Sequence, residues 1–125
     1  MSSDMARMLE FLLNPATKSL QRATWSPAVD IYRLKDGWLL KFDLAGVRPE
    51  DIELHASGRN LTVRGRRRDW VVEERIGCSL YSMEINYSHF ERTLELPCDV
   101  ENIGIQSEYR DGMLLLRLDT AGCHQ

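Results

Sequence analysis

From about residue 26 onward, apolar and polar residues alternate along the chain with a period of two. This alternation is typical of strands that bury one face. The clearest run places Trp38, Leu40, Phe42 and Leu44 on one face. We predict strands around residues 38–44, 52–55, 61–63, 90–96, 103–109 and 113–118. Turn residues separate these short runs, at 57–60 and 111–112 for example, so the pattern predicts an all-β sandwich.

The first 24 residues have a different pattern. Apolar residues recur at helical spacing behind capping-type residues, which predicts a short amphipathic helix that ends at Asn14-Pro15. The apolar positions, here called the N-terminal stripe, are Met5, Met8, Leu9, Phe11, Leu12 and Leu13. The stripe either packs on its own domain, drives self-association or contacts another protein, since methionine adapts to varied surfaces.

The connection at residues 66–87 is too long for an ordinary hairpin loop. Its first half is charged, and its second half, residues 80–85, can form a strand. A strand on a long connection can pair with the sheet edge of another subunit. We therefore expect a homodimer formed by strand exchange, with Leu80, Tyr81, Met83 and Glu84 in the interface.

Composition limits the function classes. The 125 residues support one domain, and the net charge of −3 argues against nucleic acid as the main partner. The basic run at residues 64–68 is expected to be a solvated hairpin end. No apolar run approaches the ~20 residues that span a bilayer, and no leader is recognisable, so we expect a cytoplasmic protein. Three cysteines without Cys-x-x-Cys spacing suit reduced thiols.

Candidate chemistry is sparse. The histidines and cysteines lack the spacing of metal ligands, and no glycine-rich phosphate loop occurs. The sequence thus predicts no catalytic residue, no metal and no cofactor. A hydrolase or a metal enzyme is a remote alternative.

Four segments carry a family resemblance. Residues 43–52, DLAGVRPEDI, resemble the D-L-P-G-V-x-x-E-D-I signature of the α-crystallin domain, and residues 60–65, NLTVRG, are similar to the strand after it. Residues 87–97 resemble Y-G-S-F-x-R…L-P, and residues 107–114 resemble A-x-x-x-N-G-V-L. The four segments occur in the family's order, from about Trp25 to Leu118. The chain thus resembles the small heat-shock proteins.

The resemblance implies an immunoglobulin-like β-sandwich, the α-crystallin domain, at residues 25–118. A helical segment precedes it at residues 1–24, and a tail follows at residues 119–125. It also implies an ATP-independent chaperone, a holdase, that binds unfolding client proteins under stress and uses the N-terminal stripe to contact them. The Ile-x-Ile tail motif of the family is absent, so we expect a homodimer with at most small higher assemblies.

The resemblance assigns two further sites. A hydrophobic groove is expected between the edge strands that carry Ile52 and Leu54 and, opposite them, Ile103 and Ile105; the alternative is that all four belong to the core. Arg92 shares the face of Phe90, so its guanidinium needs a carboxylate or carbonyl partner. The resemblance makes Arg92 structurally critical near the dimer interface. The alternative is an arginine that reaches water at a strand end.

A second function class stays open. A co-chaperone or adaptor with the same sandwich would bind one specific partner, whereas a holdase would keep several unrelated heated proteins in solution.

Overall fold

The structure, a computed structural model, describes residues 23–71 and 77–120, which form seven β-strands and one short 3-10 turn. The turn, Pro49–Asp51, directly precedes the third strand. The strands are β1 Val29–Leu34, β2 Gly37–Asp43, β3 Ile52–Ser57, β4 Asn60–Arg67, β5 Ser88–Glu95, β6 Gly104–Arg110 and β7 Met113–Asp119. They form two antiparallel sheets, in the orders β1-β2-β7-β6 and β3-β4-β5. The prediction of an all-β sandwich is confirmed.

The core lies between the two sheets and follows the predicted alternation. Because directly paired residues share a face, Leu40 of β2 and Leu116 of β7 point inward together, as do Leu61 of β4 and Leu94 of β5. The core side chains that are 0% exposed are Leu40, Phe42, Leu44, Leu61, Val63, Val100, Leu116 and Leu118. Burial of these side chains from both sheets is the main source of stability.

The two predicted hairpin turns are present. Ser57 pairs with Asn60, so the β3–β4 turn consists of two residues. In the β6–β7 turn Asp111 has a φ of 52° and Gly112 a φ of 79°. Positive φ at both central positions matches the right-handed twist of the strands, which is why Asp-Gly predicts such a hairpin.

Strand β1 was not predicted. It pairs with β2 through, for example, Ile31 and Leu40, and it forms one edge of the four-stranded sheet. Its four central residues are all exposed, so neither face is continuously apolar. An edge strand with so little burial gives no clear period-two signal.

On the outer face of the three-stranded sheet, polar side chains form rows across the strands. Arg64 of β4 lies opposite both Glu53 of β3 and Glu91 of β5. Its Nε is 3.9 Å from a carboxylate oxygen of Glu53. In the next row the hydroxyls of Thr62 and Thr93 are hydrogen-bonded at 2.8 Å. These rows give the sheet a charged, hydrated exterior.

Strand β4 ends at Arg67 and β5 begins at Ser88, so residues 68–87 form the predicted long connection. We call these residues the arm. Its residues 80–85 form no strand within the chain, and their pairing with a partner stays a prediction. The predicted N-terminal helix lies outside the described residues. Cys98 is disulfide-bonded, so the expectation of reduced thiols is wrong for this residue; Cys78 is free.

Gly65 of β4 provides a test of the close packing between β4, the Pro49–Asp51 turn and β5. A Cβ at this position would lie 2.0 Å from the carbonyl oxygen of Asp51 and 2.8 Å from the ring of Phe90. We expect Gly65→Ala to lower the free energy of unfolding by roughly 1–3 kcal/mol, measured by urea denaturation. Gly104→Ala is the matched control, because its Cβ would meet nothing within 4 Å. Equal stability of the two variants would contradict the close approach.

Candidate functional site

The signature turn at residues 44–47 carries the chain from the four-stranded sheet toward the three-stranded one. The amide of Leu44 donates to the carbonyl of Gly112 at 2.9 Å, and the hydroxyl of Tyr109 donates to the carbonyl of Leu44 at 2.7 Å. The amide of Val47 closes the turn on the same carbonyl at 3.0 Å. Leu44 and Val47 are themselves buried. The motif is thus structural, since these bonds attach the turn to the β6–β7 hairpin of the four-stranded sheet.

Burial raises the pKa of the Tyr109 phenol above the ordinary tyrosine value. The phenol therefore stays protonated at neutral pH.

The basic run at residues 64–68 is only in part the solvated hairpin end that we predicted, because Arg64 and Arg66 are exposed whereas Arg67 and Arg68 are half-buried. Arg68 forms a two-point salt bridge with Asp51, at 3.1 and 3.3 Å, and the Asp51 side chain is only 14% exposed. Asp51 belongs to the Pro49–Asp51 turn, which lies within the same motif and follows the signature turn. The pair fastens the start of the arm to the three-stranded sheet.

Arg67 lies at the base of the arm, and its side chain contacts several groups around it. Its guanidinium donates to the carbonyl of Asn86 from Nε at 2.8 Å and from Nη2 at 2.6 Å, and to the carbonyl of Ala45 from Nη1 at 2.9 Å. The same group lies over the ring of Trp25 at 4.2 Å and near that of Tyr87 at 5.7 Å. One side chain therefore joins both ends of the arm to the signature turn.

The first described residues lie along the outer edge of β5. The amide of Thr24 donates to the carbonyl of His89 at 2.8 Å, and the amide of Glu91 donates to the carbonyl of Trp25 at 3.2 Å. Trp25 forms a parallel bridge with Phe90, and their ring centroids are 5.0 Å apart. This short segment covers part of an edge that would otherwise be open.

Arg92 is half-buried on the inner face of β5, as its alternation indicated. Its Nη1 donates to the carbonyl of Pro27 at 3.1 Å. The partner is thus one of the two kinds that we expected, a backbone carbonyl. Pro27 lies two residues before β1, so Arg92 is placed next to the edge strand β1. A role in a dimer interface stays a prediction.

The four predicted groove residues lie at free edges of the two sheets. Ile52 and Leu54 are on β3, whereas Ile103 and Ile105 lie just before and on β6. The loop between β5 and β6 passes the end of β3, because the amide of Val100 donates to the carbonyl of Gly58 at 2.8 Å. This bond places the loop that leads into β6 next to the β3–β4 turn. Leu54 is 39% exposed, whereas the other three are half-buried against the core.

The large apolar side chains that are exposed in the described residues share one property: each lies on an edge strand or in the arm. Those on edge strands are Ile31 and Tyr32 of β1 and Leu54 of β3. Those in the arm are Trp70, Val71, Leu80, Tyr81, Met83 and Ile85. The interior strands β2, β4 and β7 have none in this class. Apolar exposure is thus concentrated where another chain could add to a sheet.

The N-terminal stripe lies outside the described residues, so its contacts stay a prediction. Within residues 23–71 and 77–120 no three histidine, cysteine or acidic side chains come together as a metal site would require. The same ranges contain no helix that is long and apolar enough to cross a membrane.

Comparisons with known proteins agree with this architecture. A model of the Hsp20/alpha crystallin family matches residues 30–123. Spore protein SP21 of Stigmatella aurantiaca is 30% identical over 92 residues, which make up 74% of this chain and 53% of that protein. The chain therefore spans about half the length of SP21.

Two solved structures show the same fold. Heat shock protein 16.0 from Schizosaccharomyces pombe superposes with a TM-score of 0.70 at 25% identity, over 80% of this chain and 91% of that one. The hspA protein from Xanthomonas axonopodis superposes with a TM-score of 0.65 at 30% identity, over 82% of this chain and 100% of that one.

The two sheets and their connecting arm define a β-sandwich of the class found in small heat-shock proteins. The chain belongs to the Hsp20/alpha crystallin family. Proteins of this family are chaperones that oligomerise, and they are not enzymes.

Tyr109 tests the signature turn. We expect Tyr109→Phe to lower the free energy of unfolding by about 1–3 kcal/mol, because the carbonyl of Leu44 loses its phenolic donor. Tyr32→Phe is the control, since the exposed Tyr32 accepts a hydrogen bond at its hydroxyl from Lys41 at 3.0 Å and donates none that ties a turn.

The contribution of Tyr109 to the free energy of unfolding should decrease at high pH. Burial raises the native pKa of Tyr109, so its contribution is present below the unfolded pKa of about 10 and is lost as the pH rises further. The difference between wild type and Tyr109→Phe in urea denaturation should shrink above pH ~10. A difference that grows there would be contrary to this assignment.

Proposed function

We propose that the protein is an ATP-independent holdase that binds unfolding proteins and prevents their aggregation. The observation that carries this proposal is the concentration of exposed apolar side chains on edge strands and in the arm. Unfolding proteins expose the complementary features, apolar segments and unpaired strands. A sheet edge with apolar neighbours can bind both, by backbone hydrogen bonds and by burial of side chains.

The energetics favour many weak contacts over one tight site. A net backbone hydrogen bond contributes only about 1 kcal/mol, and a buried aliphatic side chain contributes roughly 1.5–3 kcal/mol. Edge strands, groove and N-terminal stripe each offer a few such contacts. Simultaneous binding of one client at several of these surfaces raises the affinity without requiring a specific client sequence.

We further propose that the stable unit is a homodimer in which the arm of each subunit pairs with β1 of the other. Strand β1 has six residues, as does segment 80–85 of the arm, and the outer edge of β1 has no partner among the described residues. Side chains at both surfaces, Ile31 and Tyr32 on β1 and Leu80 in the arm, are exposed in the isolated chain. Strand addition would bury them together.

Charge and position support the same pairing. Glu84 in the arm can bind the exposed Arg33 of the partner's β1, a contact that would be screened by salt. Arg92 is hydrogen-bonded next to the start of β1 and would steady the edge that receives the arm.

We also propose a cytoplasmic location, which cell fractionation would test.

The N-terminal stripe is the proposed main client contact. Deletion of residues 1–23 leaves Thr24 and the whole sandwich in place. We expect the truncated protein to fold and dimerise but to lose most of its suppression of light scattering by heated client proteins. Several unrelated clients should be used, because suppression for only one of them would favour the adaptor.

Substitutions in the full-length chain separate the effect of shortening the chain from the effect of removing its apolar side chains. Serine at Met5, Met8, Leu9 and Leu12 should reproduce the loss, whereas Arg7→Ser with Glu10→Ser should not. Undiminished suppression after the deletion would move the client contact to the groove and the edges.

The arm is the proposed dimer contact. We expect replacement of residues 69–84 by a short Gly/Ser linker to yield a monomer in native mass spectrometry, with wild type at the mass of a dimer. Serine at Leu80, Tyr81 and Met83 should weaken the dimer while keeping the arm length. Ser79→Ala with Ser82→Ala is the control in the same segment and should leave the dimer intact. A dimer that survives the linker replacement would refute strand exchange.

A further inference from the structure

Ser88 is the residue at which the arm joins β5, and its backbone is in the left-handed region, with a φ of 74°. This conformation is unfavourable for a residue that carries a Cβ. The family motif Y-G-S-F has glycine at this place. Serine here therefore needs contacts that hold the junction in position.

Three contacts surround the junction. Arg67 is directly opposite Ser88 across the β4–β5 pair, and its guanidinium donates twice to the carbonyl of Asn86, two residues before Ser88. The indole Nε1 of Trp25 donates to the carbonyl of Ser88 itself at 3.2 Å. The guanidinium lies over the indole ring at 4.2 Å. The two side chains thus hold the backbone on both sides of the unfavourable residue.

These side chains are themselves attached to the sandwich. Arg67 also donates to the carbonyl of Ala45 in the signature turn, and the hydroxyl of Thr24, beside Trp25, donates to the carbonyls of Tyr87 and His89 at 3.0 Å. The junction is consequently fixed relative to the sheets and not only within the arm.

We propose that Arg67 and Trp25 form a clamp that holds Ser88 in the left-handed conformation and so sets the direction in which the arm leaves β5. The proposal rests on the arm exchange proposed above. Without the clamp, Ser88 relaxes to an extended conformation and the arm no longer points at β1 of the partner. Arg67 is then a positioning residue for assembly, although it lies outside the segment that pairs.

The expected change in the dimer dissociation constant follows from how often residue 88 occupies the left-handed conformation. An unclamped serine would occupy the left-handed region about one time in ten, and both subunits of the dimer must adopt it, so the apparent dissociation constant of the dimer would rise about a hundredfold. Glycine occupies left- and right-handed regions about equally, so the rise in a Ser88→Gly background would be only about fourfold. A purely structural role of Arg67 would give the same rise in both backgrounds.

The experiment is a double-mutant cycle on the dimer dissociation constant, by analytical ultracentrifugation across a dilution series. The variants are Arg67→Ala, Ser88→Gly and the combination of both. Arg66→Ala is the control, because it removes the same charge from an exposed neighbour on the opposite face of β4. Arg67→Lys keeps the charge but loses the paired bonds to Asn86, and it should behave like Arg67→Ala. Equal effects of Arg67→Ala in both backgrounds would overturn the proposal.

A second measurement does not depend on the mode of dimerisation. Backbone couplings and chemical shifts in NMR spectra report the φ of Ser88 directly. In Arg67→Ala we expect this φ to become negative, with faster exchange of the Thr24 and Glu91 amides. If the protein with the linker in place of residues 69–84 stays dimeric, the strand-exchange proposal is refuted. The clamp is then tested by the φ of Ser88 alone. A positive φ that persists in Arg67→Ala would refute it.

Discussion

The hydrogen bond between the Tyr109 hydroxyl and the Leu44 carbonyl links strand β6 to the signature turn, and the other contacts of that turn depend on its position. At this turn the chain leaves the four-stranded sheet for β3. The Asp111-Gly112 hairpin holds it from one side through the Leu44 amide, and Arg67 holds it from the other through Ala45. The same turn therefore fixes how the sheets face each other and where the arm begins.

The open edges of the sandwich are a hazard as well as a means of binding. Most proteins protect such edges with charges, bulges or short strands, since unpaired strands promote aggregation. In this chain Thr24 and Trp25 cover part of the β5 edge, whereas the edge of β1 keeps exposed Ile31 and Tyr32. An edge of this kind is open to strand addition, and the arm of a second subunit is its proposed occupant.

Much of the sandwich was predictable because its signals are local. Alternation in β2, β4, β5 and β7 and the Asp-Gly turn gave the correct elements, and the motif order gave the family. Strand β1 was missed, since exposure of both its faces removes the period. The roles of Arg67 and Arg68 were missed for another reason. Their partners Asn86, Ala45 and Asp51 are 17 to 22 residues away, and no spacing in the sequence reveals these contacts.

The row of Arg64 between Glu53 and Glu91 has a consequence at high temperature. The hydration of charged groups becomes less favourable as the temperature rises, so the desolvation penalty of forming an ion pair decreases. Hydrophobic stabilisation reaches a plateau over the same range. Near 25 °C an exposed pair such as Arg64 with Glu53 contributes little. On heating, ion pairing on the outer face of the three-stranded sheet becomes relatively more favourable, and this sheet also carries the arm. The pair of Arg64 with Glu53 therefore contributes relatively more to the stability of the three-stranded sheet at high temperature than at 25 °C.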